Sequence, residues 1–190
     1  MTRKSSSIMA LALLACAQAP ASEVATTPPS AGDPLADAAA LLAAGEAADG
    51  STERAPLVAR LDALRVAAAE GETDDPLAAW RAEAAAADSA APVYRGRTLG
   101  PAYRRARIAP GARMQIEQIF YAGERAEIAA HSQGGQPIAL EIRNPRTGKV
   151  CIAELSPKAS CNWLPLFTER FSIELVNQSR DQASVYIVFR

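Results

Sequence analysis

The feature that most constrains the fold of this chain is an alternation of apolar and polar residues in its second half. Between Phe171 and Val176, for example, apolar side chains occupy every other position. Successive side chains of a strand point to opposite faces, so each such run can bury one face. Turns rich in Gly, Pro and Asn separate the runs. The predicted strands are Tyr103–Ile108, Met114–Tyr121, Arg125–Ser132, Ile138–Arg143, Lys149–Glu154, Arg170–Val176 and Ser184–Arg190. Short strands at such regular spacing predict a mainly β domain over residues 92–190, an antiparallel, jelly-roll-like β-sandwich.

Residues 33–91 have a different composition: they are rich in Ala, which favours short helices. Asp33 and Asp75 each precede a proline, an arrangement typical of an N-cap followed by the first helical residue. Gly45 and Gly71 are expected at helix ends. These signals predict an N-terminal helical segment.

The helical segment offers little apolar surface of its own. Leu57, Leu61 and Leu64 form one narrow stripe at helical spacing. Such a stripe cannot bury much area, so the helices are expected either to lean on another element or to remain partly mobile.

Residues 1–21 are typical of an export signal. Arg3 and Lys4 precede an apolar run from Ile8 to Ala15, which is too short for a transmembrane helix. A run this short followed by small residues predicts export from the cytoplasm.

Two cleavage sites compete at the end of this signal. Ala19-Pro20-Ala21 suits ordinary signal peptidase, whereas Leu13–Cys16 resembles a bacterial lipobox that would lipidate Cys16. Residues 22–32 continue a run of Ala, Pro, Ser and Thr, suited to a disordered tether. The protein is therefore expected in the periplasm or anchored to a membrane by lipid, with secretion as the lesser alternative.

The net charge of −1 conceals a division along the chain. Residues 22–91 contain 13 acidic and 4 basic residues, giving −9, and residues 92–190 contain 8 acidic and 14 basic residues, giving +6. A basic group stands out in the second half: Arg95, Arg97, Arg104, Arg105, Arg107 and Arg113. These arginines are candidates for meeting an anionic partner such as lipid head groups, or the acidic helices of the same chain. Export argues against nucleic acid as the partner.

The cysteines agree with export. Cys16 lies in the signal region, which leaves Cys151 and Cys161 as an even pair in an oxidising compartment. These two cysteines are predicted to form a disulfide.

Several segments resemble the bacterial pre-peptidase C-terminal domain, over roughly residues 102–190. The similar segments are Phe120–Ile128, Ile138–Asn144, Cys161–Trp163 and Phe171–Asn177. The resemblance implies an exported, eight-stranded, jelly-roll-like sandwich associated with secretion, maturation or substrate binding, not with catalysis. Pro137 and Ala139 stand where many members carry an acidic pair, so a metal role does not transfer.

Catalytic and metal-binding patterns are sparse in this sequence. His131 is the single histidine, and Ser132 beside it points to the opposite face of a strand. The acidic group Glu70, Glu72, Asp74 and Asp75 matches no calcium loop and is predicted to be a solvated linker. Trp163 is expected in the core, with a role in ligand binding as the alternative.

The sequence thus predicts a non-catalytic, exported binding or accessory module of the bacterial cell envelope, which engages a protein or an envelope component. A structural envelope lipoprotein is the alternative. No enzyme activity, cofactor, metal or nucleic acid is expected.

Overall fold

The computed structural model describes residues 32–87 and 100–190. Its three helices are α1 (Pro34–Ala47), α2 (Ser51–Ala63) and α3 (Pro76–Ala87). Its nine strands are β1 (Ala67–Ala68), β2 (Ala102–Ile108), β3 (Arg113–Phe120), β4 (Ala126–Ser132), β5 (Ile138–Asn144), β6 (Gly148–Leu155), β7 (Lys158–Trp163), β8 (Glu169–Asn177) and β9 (Ala183–Phe189). In these two ranges no helix is both long and apolar enough to cross a membrane. The predicted signal, Cys16, most of the tether, Arg95 and Arg97 lie outside the described residues.

The strands form two sheets that face each other. One sheet has the order β1-β2-β9-β4-β7 and the other the order β3-β8-β5-β6. The antiparallel pairs β2/β9, β3/β8, β4/β7 and β5/β6 nest inside one another along the chain. Strands two to nine therefore fold as one long hairpin that rolls into two layers, which is a jelly roll. The predicted fold class, a mainly β sandwich with an N-terminal helical segment, is confirmed.

The interior between the two sheets is built from the alternating residues that predicted the strands. Ile128, Leu140, Ile173 and Ile187 are among its buried side chains. Their polar neighbours along each strand face outward, because side chains of a strand alternate between faces. The sheet that contains β9 is apolar on both faces, since Tyr186 and Val188 are buried as fully as Ile187.

The helices cover the outer face of that sheet and form a second core. Leu42 of α1 and Leu61 of α2 pack in one cluster with Tyr103, Tyr186 and Val188 from β2 and β9. α1 contacts β4 and β9 directly. The alanines of α1 are small enough to let the helix approach the sheet closely, and α1 buries a broad face along most of its length. Of the leucine stripe on α2, Leu61 is fully buried. Of the two expectations for the helices, packing against another element is confirmed, and that element is the sheet that contains β9.

Two predicted helix starts are confirmed, and two predicted helix ends are wrong. Asp33 caps α1 by accepting from the backbone N–H of Leu35 at 3.0 Å, and α3 begins at Pro76. Gly45 lies inside α1, and α2 ends at Ala63, well before Gly71. Gly45 is required by packing, as the ring of Trp80 lies against it. Gly71 lies in the turn that follows β1, with a φ of 77°.

Two strands, β7 and β1, were not predicted from the sequence. β7 has a mixed, polar composition, yet it pairs with β4 along its whole length. β1 has only two residues, which pair in parallel with Ala102 and Tyr103. Both strands lie at edges of the sheet and owe their conformation to tertiary pairing instead of local propensity.

The disulfide between Cys151 and Cys161 is present. It joins β6 and β7, which lie at the edges of different sheets on the same side of the sandwich. Both sulfur-bearing side chains are buried. The covalent bond therefore closes one open side of the two-layer structure.

Candidate functional site

An exposed apolar group lies at one end of the sandwich. Tyr121 follows β3, and Leu164, Leu166 and Phe167 occupy the loop between β7 and β8. The strand registers place both loops at the same end, next to the β5–β6 turn. These four side chains, called the apolar loop end below, are between 57% and 79% exposed, with Leu166 the most exposed.

Backbone hydrogen bonds hold these loops to one another. Gly123 donates its N–H to the carbonyl of Pro165 at 2.9 Å, and Ala122 donates to Thr168 Oγ1 at 3.0 Å. In the adjacent turn, Asn144 Oδ1 accepts from the N–H of Arg146 at 2.8 Å. The apolar side chains are thus displayed from a fixed scaffold.

An aromatic cluster lies beneath the apolar loop end. Trp163 packs edge-on to Phe120, with ring centroids 4.9 Å apart, and its ring lies 5.4 Å from Phe171. Phe120 and Phe171 are buried, whereas Trp163 is partly exposed. Trp163 therefore joins the core, as predicted, at the point where the core meets the loops.

Three ion pairs around this end share one orientation, with the cation outward and the carboxylate inward, whereas both partners of Arg170–Glu117 are exposed. The side chain of Arg146 is 66% exposed, whereas that of its partner Glu169 is 8% exposed. Arg125 with Glu127, and Lys149 with Glu141, follow the same arrangement. The guanidinium of Arg146 also stands 5.0 Å from the centroid of the Phe167 ring. In these three pairs the positive group lies outermost, while Glu124, in the loop that contains Tyr121, is an exposed carboxylate at the same end.

The basic group predicted as an anionic-partner surface does not form one surface among the described residues. Arg104, Arg105 and Arg107 lie on β2, while Arg113 begins β3 in the other sheet and pairs with Glu174 at 3.1 Å. The three arginines of β2 all pair with acidic residues of the helical segment, although Arg104 lies on the other face of the strand from Arg105 and Arg107. Arg104 lies 3.5 Å from Glu72, and Arg105 lies 2.6 Å from Asp74.

The acidic group at residues 70–75 is correspondingly not a solvated linker. Besides the pairs of Glu72 and Asp74, Asp75 accepts a 2.5 Å hydrogen bond from the hydroxyl of Tyr103. Burial, together with this bond, raises the pKa of Tyr103 far above its usual range. The acidic residues therefore attach the helical segment to β2. This agrees with the alternative prediction that the arginines meet the acidic helices of the same chain.

His131 has the environment of a structural residue. It lies on β4 beside Lys158 of β7 and Tyr186 of β9. Burial, and then the charge of Lys158, lower the pKa of His131. Within residues 32–87 and 100–190, Nδ1 of His131 has no hydrogen-bond partner, and no three His, Cys, Asp or Glu side chains are grouped as metal ligands.

A polar cleft of 380 Å³ opens at the other end of the sandwich. It lies between the end of α1, β2 and the β4–β5 connection, and it is lined largely by charged and amide side chains. One hydrogen bond, from Ser184 to Glu46 at 3.1 Å, crosses its wall. The lining residues are Glu46, Arg107, Gln133, Gly134, Gln136, Gln182, Ala183 and Ser184.

No protein-family model matches this chain, and no curated protein matches it. Solved structures resemble about half of it. The Yersinia pseudotuberculosis-derived mitogen has a TM-score of 0.41 and 12% identity, over 47% of this chain and 84% of its own. The pre-peptidase C-terminal domain of collagenase from Bacillus anthracis has a TM-score of 0.41 and 4% identity, over 46% and 87%. A periplasmic inhibitor of g-type lysozyme from Aeromonas hydrophila, PliG, has a TM-score of 0.37 and 11% identity, over 52% and 94%. Membership of the pre-peptidase C-terminal family stays a prediction.

The apolar loop end was not identified from the sequence. Its best signal is the run Leu164-Pro165-Leu166-Phe167, in which three large apolar residues surround a proline. A proline in such a run argues against a central strand and for a loop, and in this loop Pro165 is buried while the three large apolar residues are exposed. Tyr121 could not be added to this group without the strand registers.

Proposed function

We propose that this protein is a non-catalytic, exported binding module of the bacterial cell envelope, which engages a protein or an envelope surface through the apolar loop end of its sandwich. The observation that carries the proposal is the exposed group of Tyr121, Leu164, Leu166 and Phe167 on loops that are bonded to each other.

The size of this group supports a binding role. Large side chains of this kind have areas of about 150–250 Å² each, so the exposed fractions amount to roughly 500 Å². The largest apolar patch on a typical monomer is about 300–600 Å² and is often functional. Scattered apolar residues would need no explanation, but four at one end of a sandwich do.

The chemistry around the described polar groups supports a non-catalytic role. In the described part of the chain, His131 makes no hydrogen bond to a carboxylate that could orient it or to a hydroxyl that it could activate. The two cysteines of the sandwich are joined to each other, so neither is a free thiolate.

Site-specific photo-crosslinking tests this proposal. Leu166 is replaced by benzoylphenylalanine in the full chain, expressed in the producing bacterium, and cells are irradiated. The matched control carries the same group at Ile152, an exposed apolar residue on the outer face of β6. We expect envelope adducts from position 166 and few from position 152. Adducts from neither position, or equally from both, would contradict the proposal.

The location is tested separately by cell fractionation. The export signal predicts that the protein leaves the cytoplasm, and mass spectrometry of the native protein shows whether its chain starts at a lipid-modified Cys16 or at Ser22. A protein that stays in the cytoplasm with residues 1–21 intact would remove the envelope from the proposal.

A further inference from the structure

We infer that the apolar loop end docks onto a membrane surface that contains anionic phospholipid, with its tips in the interfacial layer of the bilayer. The inference rests on the proposed function and names the chemistry of the surface engaged. Shape, side-chain composition and charge arrangement support it.

The first observation is the size and shape of the apolar loop end. A stable protein–protein interface buries about 800 Å² on each partner, of which about 450 Å² is apolar. The exposed apolar area of roughly 500 Å² here therefore fits either kind of surface, and the shape distinguishes them. The side chains project from loop tips, and Leu166 is 79% exposed. A projecting tip of this size needs a deep, matching pocket on a protein, but a lipid layer deforms around it without one.

The second observation is the order of side chains from the tip inward. Leucine and phenylalanine lie at the tip, while Tyr121 and Trp163 lie beside and beneath it. Tyr and Trp are enriched at the boundary between lipid and water, because their rings are apolar and their N–H or O–H groups are polar.

The third observation is the direction of the ion pairs. Arg125, Arg146 and Lys149 point outward, whereas their carboxylate partners are held closer to the sandwich. A flat anionic surface that approaches the apolar tips would meet these cations before their carboxylate partners, and the exposed Glu124 between Tyr121 and Arg125 offsets part of that attraction. Lipid phosphates complement such an arrangement, and basic residues beside an apolar anchor are typical of attachment to anionic membranes.

The rigidity of the loops lowers the cost of docking. The bonds from Gly123 to Pro165 and from Ala122 to Thr168 exist without a partner. Less conformational entropy is therefore lost when the tips enter the lipid.

Vesicle sedimentation tests the inference. The chain from Ser22 to Arg190 is used, because it lacks both the apolar signal and Cys16 and so cannot bind through a lipid anchor. We expect it to sediment with vesicles of phosphatidylglycerol and phosphatidylethanolamine, and to bind phosphatidylcholine vesicles at least about tenfold more weakly. Equal binding to both vesicles, or to neither, would overturn the inference.

Matched substitutions locate the contact. Leu166→Asp and Phe167→Ser should each lower the partition coefficient about tenfold or more, since burying a large apolar side chain is worth at least one factor of ten. Ile152→Asp, which alters an exposed apolar residue on a different surface, should leave binding unchanged. Unchanged thermal melting shows that each variant is folded. Equal losses at positions 152 and 166 would contradict docking through the loop end.

Tryptophan fluorescence reports the depth of insertion. Trp163 lies beneath the loop end, whereas Trp80 is buried in the helical segment. In the Trp80→Phe variant, brominated lipid should quench the remaining emission; in Trp163→Phe it should not. The absence of quenching in Trp80→Phe would overturn insertion.

The lipid inference and the proposed function fail in different ways. If vesicles do not bind but position 166 crosslinks to an envelope protein, the inference falls and the binding module stands. If sedimentation equilibrium shows a dimer that Leu166→Asp abolishes, the occupant is a second copy of this chain and the inference is again wrong. If neither vesicles nor crosslinks are found, both proposals fall.

Discussion

At the scale of single residues, Gly45 shows how packing can demand what helix propensity opposes. Gly in a helix interior costs about 1 kcal/mol relative to Ala, yet Gly45 lies within α1. A Cβ built at this position would lie 2.6 Å from Trp80 Cζ3. The ring of Trp80 is buried between helices and cannot swing into solvent. The glycine therefore allows α1 and α3 to approach each other.

Gly45→Ala is expected to destabilise the protein by about 1–2 kcal/mol, because overpacking costs about 1–3 kcal/mol and outweighs the gain in propensity. Chemical denaturation of both proteins measures the difference. A double-mutant cycle with Trp80→Phe provides the control, since the smaller ring should relieve most of the cost. A variant as stable as the parent would show that the ring yields easily.

His131 provides a prediction for pH dependence. Burial and the neighbouring Lys158 lower its pKa, so the unfolded chain binds a proton more readily than the folded one. The associated stability is present above the ordinary histidine pKa of about 6.5 and is lost as the pH falls toward the lowered value. Between pH 7.5 and 5, the melting temperature should therefore fall less in His131→Gln than in the parent. A parallel decline in both would show that His131 does not contribute.

At the scale of elements, the sequence predicts strands well where large β-branched and aromatic residues are frequent. β8 alternates along most of its length, whereas β9 is a run of β-branched and aromatic residues buried on both faces, and both strands were predicted within one residue at each end. β7 was missed although its six residues, Lys-Ala-Ser-Cys-Asn-Trp, alternate between polar and apolar, because the strand has no β-branched residue and two of its three apolar residues are small; pairing with β4 determines its conformation. The helix ends at Gly45 and Gly71 were wrong because Gly serves packing in one place and a turn in the other.

The disulfide is an element-scale device, since it joins the edge strands of the two sheets. Cys151 and Cys161 are separated by ten positions. Closing a loop of this size stabilises the folded state by about 2–3 kcal/mol, through the reduced entropy of the unfolded chain. Reduction should lower the free energy of unfolding by that amount, measured by denaturation with and without reductant. The Cys151→Ala/Cys161→Ala variant is the control, because reductant should not affect it. An equal response would place the effect elsewhere.

At the scale of the whole molecule, burial was predicted less completely than architecture. The period-two pattern predicted the sandwich interior. The second core could not be predicted in this way, because the sequence does not show which face of which sheet the helices cover. The sequence places Tyr103 and Tyr186 on strands but does not show what covers their side chains. Both are fully buried under the helices. The candidate site was harder still, since Tyr121 and Leu166 are brought together only by the strand registers. The ion pairs of β2 were foreseen only as one of two readings of the charge division.

The two cores lead to an expectation for the isolated sandwich. The core between the sheets consists almost wholly of residues from 102 to 190, with Ala69 as the exception among its buried members. A fragment from Ala91 to Arg190 should therefore melt cooperatively. It should also melt at a lower temperature than the chain from Ser22, because loss of the helices exposes Tyr103, Tyr186 and Val188 and leaves Arg105 without Glu46 and Asp74. Exposing apolar side chains of this size costs about 1.5–3 kcal/mol each, while the cluster of Ile128, Leu140, Ile173 and Ile187 is unchanged.

Differential scanning calorimetry of both proteins measures the outcome, and the substitution Tyr186→Ser in the fragment should reduce its aggregation without unfolding it. A fragment that melts without cooperativity, while the longer chain melts in a single transition, would show that the helices are part of the folding unit.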